Sequence, residues 1–264
     1  MIMPAEKMVI SRVDGASSTA WFVGTAAVNW IVLQDDSGVT LIDGGYPRQA
    51  GLVEESITKV GANPSDIRGA LLTHAHVDHI GGLVSLAARH GFPVYADPDE
   101  VGHARRNYLQ QASPIDIASV AHRPRVWRWL VQVVPLGVLS RKGIGTTQPF
   151  AHTSDLRRPL DLRRPLDLPG APVPVASHGH TDGHSAYLVA DGTVLVSGDA
   201  LVSDHPISGV SGCQCIPEVF QHDVAAARRS VETFTTLDAT VLFPGHGPRV
   251  DGQVAEMARE ALSR

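Results

Sequence analysis

Thr73-His74-Ala75-His76-Val77-Asp78-His79-Ile80-Gly81-Gly82 places four side chains of metal-ligand type within six positions. The apolar residues 70–72 before it read as a buried strand, and residues 80–90, stopped by Gly91, read as a helix. His74 and His76 stand two apart at the end of an extended segment, so their imidazoles project to the same side. Asp78 and His79 fall where the chain turns into the helix, and Gly81 and Gly82 permit close packing there. Imidazole nitrogen and carboxylate oxygen are preferred partners of zinc. With 13 histidines in 264 residues, the chain is unusually rich in the first of these.

Outward from this stretch, strands and helices alternate. Residues 21–23 and 28–33 read as strands, as do 39–42, which end in Asp43-Gly44-Gly45. A helix is expected over 48–60, a strand over 93–96 and a helix over 97–111. Strands follow over 173–177, 185–190 and 193–197, then a helix over 219–234, a strand over 240–243 and a closing helix over 252–262. No dinucleotide glycine fingerprint interrupts the order, so the expectation is an α/β fold without a Rossmann site. The absence of a long polar linker predicts one domain over 1–264.

Two segments break the pattern. Residues 122–142 form an Arg-flanked apolar stretch in which Val126, Leu130, Val131 and Val134 mark one helical face and Trp127 and Trp129 widen it. A helix apolar nearly all round must bury both sides. A lid-like insertion over the site is expected, with a core helix, a homodimer contact and a membrane surface as the other roles. Asp155-Leu156-Arg157-Arg158-Pro159-Leu160 is followed by its identical copy at 161–166. Two copies are too few for a solenoid and the prolines bar a continuous helix, so a surface loop around 155–168 is expected.

Composition narrows the function classes. Hydrophobic residues are 43% and charged residues 19%, which excludes a mainly disordered chain or a fibre. Twenty-two basic against 27 acidic residues give a net charge of −5, opposite to what nucleic-acid backbone attracts. Two cysteines make no disulfide framework, and residues 1–12 hold no apolar signal core, so a cytoplasmic protein is expected. The most apolar run, 127–139, is broken by Arg128, Gln132 and Pro135, so no transmembrane segment is expected.

His-x-His-x-Asp-His followed by Gly-Gly resembles the signature of the metallo-β-lactamase-fold hydrolases. Four further motifs occur in family order: Asp43 in Leu41-Ile42-Asp43-Gly44-Gly45, then Gly179-His180-Thr181-Asp182-Gly183-His184, then Ser197-Gly198-Asp199, then Pro244-Gly245-His246-Gly247. The resemblance implies a four-layer αββα sandwich with the site at one edge between two sheets. It implies that His74, His76 and His180 hold one metal, that Asp78, His79 and His246 hold a second, and that Asp199 bridges them. Asp43 and His184 would stand behind the ligands. The implied cofactors are two Zn2+, with other divalent metals as substitutes. A shared hydroxide, oriented by Asp78 as the catalytic residue, would cleave a small ester-like substrate: a lactone, thioester or carboxylic ester.

Asp199 separates the chain from β-lactamases that use Cys there, since Cys213 and Cys215 lie well past it. With 18 residues after His246 in this sequence, a glutathione-binding region of the glyoxalase II kind is not expected. Several compact lactonases place Tyr where this chain has Val202. A mononuclear-iron persulfide dioxygenase and a β-lactam hydrolase are the alternative functions. Trp127, Trp129, Val202 and His205 are the pocket candidates. The other histidines, 90, 103, 122, 152, 178 and 222, are expected on surfaces or in helices.

Overall fold

The computed structural model describes residues 7–150 and 164–264. Seven strands form the first sheet in chain order: β1 (Val9–Asp14), β2 (Thr19–Gly24), β3 (Asn29–Asp35), β4 (Gly38–Ile42), β5 (Ile67–Leu71), β6 (Val94–Ala96) and β7 (Gln148–Pro149). β1 to β4 pair antiparallel, and β4 to β7 pair parallel. The second sheet has β8 (Val173–Ala176), β9 (Ser185–Val189), β10 (Val194–Gly198), β11 (Val241–Pro244) and β12 (Val250–Asp251), in the order β12-β11-β10-β9-β8. Only β10 and β11 pair parallel in it.

Parallel neighbours need a crossover, and helices supply it. α1 (Ala50–Lys59) joins β4 to β5, and α2 (Val77–His90) joins β5 to β6. α3 (Pro98–Ala104), α4 (Pro114–Val120) and α5 (Pro124–Val133) lie between β6 and β7. α6 (Val224–Phe234) joins β10 to β11, and α7 (Val254–Leu262) follows β12.

Alternation along the strands sorts the core into three apolar layers. Phe22, Ile31, Leu33 and Ile42 face Tyr187, Val196 and Phe243 between the sheets. Their chain neighbours Val23, Val32 and Leu41 pack outward with Val53 and Ile57 of α1 and Ile80, Leu83 and Leu86 of α2. On the far side Leu195 and Leu242 meet Val231 and Phe234 of α6 and Met257 and Ala261 of α7. Helix, sheet, sheet, helix is the αββα sandwich. Each large apolar side chain taken fully out of water contributes about 1.5–3 kcal/mol.

The motif residues follow the C-terminal ends of β4, β5, β8, β10 and β11, which meet at one edge. Hydrogen bonds tie the sheets together there. Ser185 N–H donates to Thr73 O (2.8 Å), Tyr187 Oη–H to Leu72 O (2.6 Å), and Asn29 Nδ2–H to Pro244 O (2.9 Å) and Gly247 O (2.7 Å).

Several expectations need correction. The helix expected over 97–111 stops after Ala104, and Arg106 takes a left-handed backbone (φ 64°) that re-aims the chain toward the site. The helix expected over 219–234 starts at Val224, because the Asp223 carboxylate caps it by accepting from Ala226 N–H (2.9 Å). Within 122–142 the regular helix is α5. It is amphipathic rather than apolar all round: Val126, Trp129 and Val133 are buried, whereas Trp127 and Val131 are exposed. The expected loop around 155–168 lies partly outside the described residues, at 155–163 together with His152. Its end is not surface loop: Leu166 is buried in the layer between the sheets, and Leu168 packs against it. Among the described residues no helix is long and apolar enough to cross a membrane.

Candidate metal centre

His74 and His76 leave β5 on the same side, as their spacing requires, and meet His180 from the loop after β8. His180 Nε2 lies 3.1 Å from His74 Nε2 and 3.0 Å from His76 Nδ1. The opposite ring nitrogens fix the protons elsewhere. His74 Nδ1–H donates to Thr73 Oγ1 (3.1 Å), whose own hydroxyl donates to Asp43 Oδ2 (2.6 Å). His76 Nε2–H donates to Gln110 O (2.5 Å). Lone pairs of His74 and His76 therefore converge on the His180 ring nitrogen. Burial, before the neighbouring histidines add to it, holds His74 and His180 well below the usual imidazole range and His76 at about 4. His180 Nδ1 stays buried with no hydrogen-bond partner, so nothing holds the His180 proton on that side, and the three inner nitrogens can share either one Nε2 proton or a cation. Their spacing is close to the edge of a zinc tetrahedron, about 3.3 Å for arms of about 2.05 Å.

Asp78, His79 and His246 form a second group beside the first, with Asp199 between the two. Asp199 Oδ2 lies 3.5 Å from His180 Nε2 and 3.4 Å from His246 Nε2, while Oδ1 lies 3.4 Å from His79 Nε2. Asp78 Oδ2 is 3.4 Å from His246 Nε2. These separations give ionic attraction without well-aligned hydrogen bonds, and His79 Nε2 and Asp199 Oδ1 stay buried with no hydrogen-bond partner. Again the far nitrogens are anchored: His79 Nδ1–H donates to Asp43 Oδ2 (2.8 Å) and His246 Nδ1–H to Ala27 O (2.9 Å). Burial alone would lower His246, but the carboxylates of Asp199 and Asp78 raise it to about 10; His79 is likewise raised, by Asp199, Asp43 and Asp78. Burial opposes ionisation of Asp199 and Asp78, yet the adjoining histidines hold both carboxyls well below their usual range. A concentration of carboxylate charge facing ring nitrogens, orphaned on the inner side, suits divalent cations.

The second circle of contacts fixes these ligands. Asp43 takes a left-handed backbone (φ 62°) at the end of β4, which turns its carboxylate to accept from Thr73 N–H (2.8 Å) as well as from Thr73 Oγ1 and His79. His184 is no part of either donor group. Its Nε2 accepts from Asp199 N–H (3.1 Å), so Nδ1 carries the proton and donates to Ser177 Oγ (2.8 Å). Gly245 passes so close to Asp199 that a Cβ would collide with Oδ1.

Two participants carry no sequence motif. Glu100 of α3 is fully buried. Its Oε1 accepts from Ala75 N–H (2.7 Å) and His103 Nδ1–H (2.8 Å), and its Oε2 from Thr181 Oγ1–H (2.7 Å) and Gly183 N–H (3.2 Å). One carboxylate thus ties the His74/His76 turn to the His180 loop. His103, a residue of helix α3, is buried as its partner. Gln110, brought over by the turn at Arg106, accepts from His76 through its carbonyl and from Asp182 N–H (3.0 Å) through Oε1. An acidic residue on a short helix is a faint sequence signal, and neither contact can be read without the fold.

The metal groups close the buried end of a cleft of about 320 Å³. A row of rings leads to it from α5: Trp129 to Phe220 (5.6 Å between centroids), Phe220 to His205 (5.1 Å) and His205 to His246 (5.0 Å). Of the four pocket candidates, Trp129 and His205 line this cleft. Trp127 does not: it is 59% exposed on the outer face of α5, its Nε1–H donating to Ala121 O (2.8 Å). Val202 does not either; it is fully buried and paired through its backbone with Gln214.

The family profile described as Metallo-beta-lactamase superfamily matches residues 23–246. Probable metallo-hydrolase YflN of Bacillus subtilis (strain 168) is 27% identical over 221 residues, 81% of this chain and 76% of that protein. Probable metallo-hydrolase YqjP of the same organism is 27% identical over 256 residues, 93% of this chain and 73% of its own. Among solved structures, metallo-beta-lactamase SMB-1 in a complex with mercaptoacetic acid superposes with a TM-score of 0.62 at 20% identity, over 94% of this chain and 91% of that one. A metallo-beta-lactamase family protein from Thermus thermophilus does so with a TM-score of 0.56 at 22% identity, over 98% and 78%. At these identities the structural likeness shows the fold.

Proposed function

The chain belongs to the metallo-beta-lactamase superfamily, and on that premise we propose that it is a hydrolase of small ester-like carbonyl compounds that works with two divalent cations, zinc by donor preference. The observation that carries this reading is the pairing of two donor groups about Asp199 at the buried end of an apolar cleft. His74, His76 and His180 would hold one cation, Asp78, His79 and His246 the other, and Asp199 would touch both. Bound there, such cations supply Lewis acidity, which brings the pKa of water from 15.7 toward about 7 and polarises a carbonyl.

The chain's own residues do the rest. Asp43, Thr73, Gln110 and the Ala27 carbonyl keep His79, His74, His76 and His246 in the tautomer that offers the inner nitrogen. Asp78 lines the cleft as an ionised carboxylate, able to accept a hydrogen bond from the attacking water and to take its proton. The water oxygen bonds to the carbonyl carbon, the carbon–oxygen or carbon–sulfur bond to the leaving group breaks, and the proton passes from Asp78 to the leaving atom. The products are a carboxylic acid and an alcohol or thiol. The wall of Trp129, Phe220 and His205 keeps bulk water from the reacting carbonyl.

Metal analysis of the purified protein, run beside a hydrolysis screen of lactones, thioesters, aryl esters and a chromogenic β-lactam, tests the reading. Turnover of one of the first three classes is expected. Bound iron with oxygen uptake and no hydrolysis would overturn it.

A further inference from the structure

The cleft wall is apolar over most of its length. Ile117 of α4, Trp129 and Leu130 of α5, and Ile216 and Phe220 beyond β10 supply it. Polar groups gather at the buried end, where His76, Asp199 and His246 are each under one-tenth exposed. At the open end stand Leu139, 79% exposed, and Arg141. Arg141 is the one Lys or Arg in the wall among the described residues, and it makes no ion pair or hydrogen bond there. A free guanidinium closing an apolar slot is a fork for a planar anion.

We propose that the substrate is an amphiphile: a carbonyl at the buried end, an apolar body along Trp129, Leu130 and Phe220, and an anionic group held by Arg141 at the mouth. This rests on the hydrolase reading above and adds the substrate class. Charge complementarity and the continuity of the cleft with the metal groups carry it. The length fits. At about 30 Å³ for each small non-hydrogen group, a cleft of about 320 Å³ is filled by a body of about ten to twelve such atoms. The anion is a carboxylate at the far end of the acyl chain or a charged group on the leaving side; the chemistry Arg141 reads is the same.

Octanoate and octanedioate distinguish the proposal from simple attraction to the metals, because each can lay one carboxylate at the buried end and only octanedioate carries a second for the mouth. Calorimetric titration of the metal-loaded protein should show octanedioate binding about three- to tenfold more tightly, an advantage that shrinks with added salt. Arg141→Gln should abolish the advantage, while Lys142→Gln, which removes an equal charge from the next residue outside the wall, should keep it. Equal affinity for the two ligands, or equal effects of the two substitutions, would overturn the proposal. Because this readout is binding, it can succeed where hydrolysis fails. In that case the anion subsite stands and the hydrolase reading falls. Where hydrolysis is found, turnover of paired octanoyl and 7-carboxyheptanoyl thioesters, and of octanoyl esters of charged and neutral alcohols, identifies the side that bears the charge. An Arg141-dependent preference on either side supports the proposal, and none on both overturns it.

Discussion

Glu100 shows how one buried carboxylate can order a site it does not enter. Four donors from the two histidine-bearing turns and from His103 share its two oxygens. Glu100→Gln keeps the shape but turns an NH2 toward at least one pair of those donors, a mismatch worth about 1–3 kcal/mol. The expected outcome is metal affinity lowered by about 10–100-fold in chelator competition, with the protein still folded; affinity equal to the parent's would remove Glu100 from the account. Asp43→Asn, by contrast, disturbs His79 and Thr73 together. It should weaken one of two metal equivalents more than the other in a stepwise titration, and loss of both in parallel would contradict that. At this scale the sequence was informative where chemistry is written as residue type. His74, His76, Asp78, His79, His180, Asp199 and His246 were legible as donors, and the fold brings them together. Glu100, Gln110 and Ser177 were not legible, because their roles arise from contacts between segments far apart in the chain.

At the scale of elements, α5 is the instructive case. Its buried stripe is Val126, Trp129 and Val133, with half-buried Leu130, the i, i+3, i+4, i+7 rule of an amphipathic helix. Counting Trp127 and Val131 as apolar blurred that stripe, since composition does not say which tryptophan faces out. The two tryptophans should now separate experimentally. Trp129→Ala, tested over a series of acyl chain lengths, should lose preference for long chains while a minimal ester is still cleaved. Trp127→Ala should leave the chain-length profile within about twofold of the parent, as an exposed side chain usually does. Identical profiles for both variants would mean that α5 does not select substrate. Short strands such as β7 and β12, two residues each, escaped sequence reading for a simpler reason: their hydrogen bonds come from the sheet edge, not from their own side chains.

For the whole molecule, the succession of strands and helices indicated an α/β fold and the resemblance of the motifs implied the sandwich; in the structure the central strands bury both faces, and the two faces serve different layers. What alternation could not give is the order of strands or the meeting of their C-terminal ends at one edge. That meeting gathers the carboxylates and histidines of the candidate metal centre, and cations bound there would balance them. Metal at 100 times its dissociation constant adds about 2.7 kcal/mol, so removal by a chelator should lower the melting temperature by about 5–10 °C for a chain of this size. An unchanged melting temperature would mean that the donors are satisfied without metal.

The number of metal ions per chain tests the central claim most directly. Elemental analysis of fully loaded protein, after gel filtration, should give close to two equivalents, and Asp199→Ala should give clearly fewer. One equivalent or none in the parent protein, with His246 free to titrate, would contradict the two-cation site.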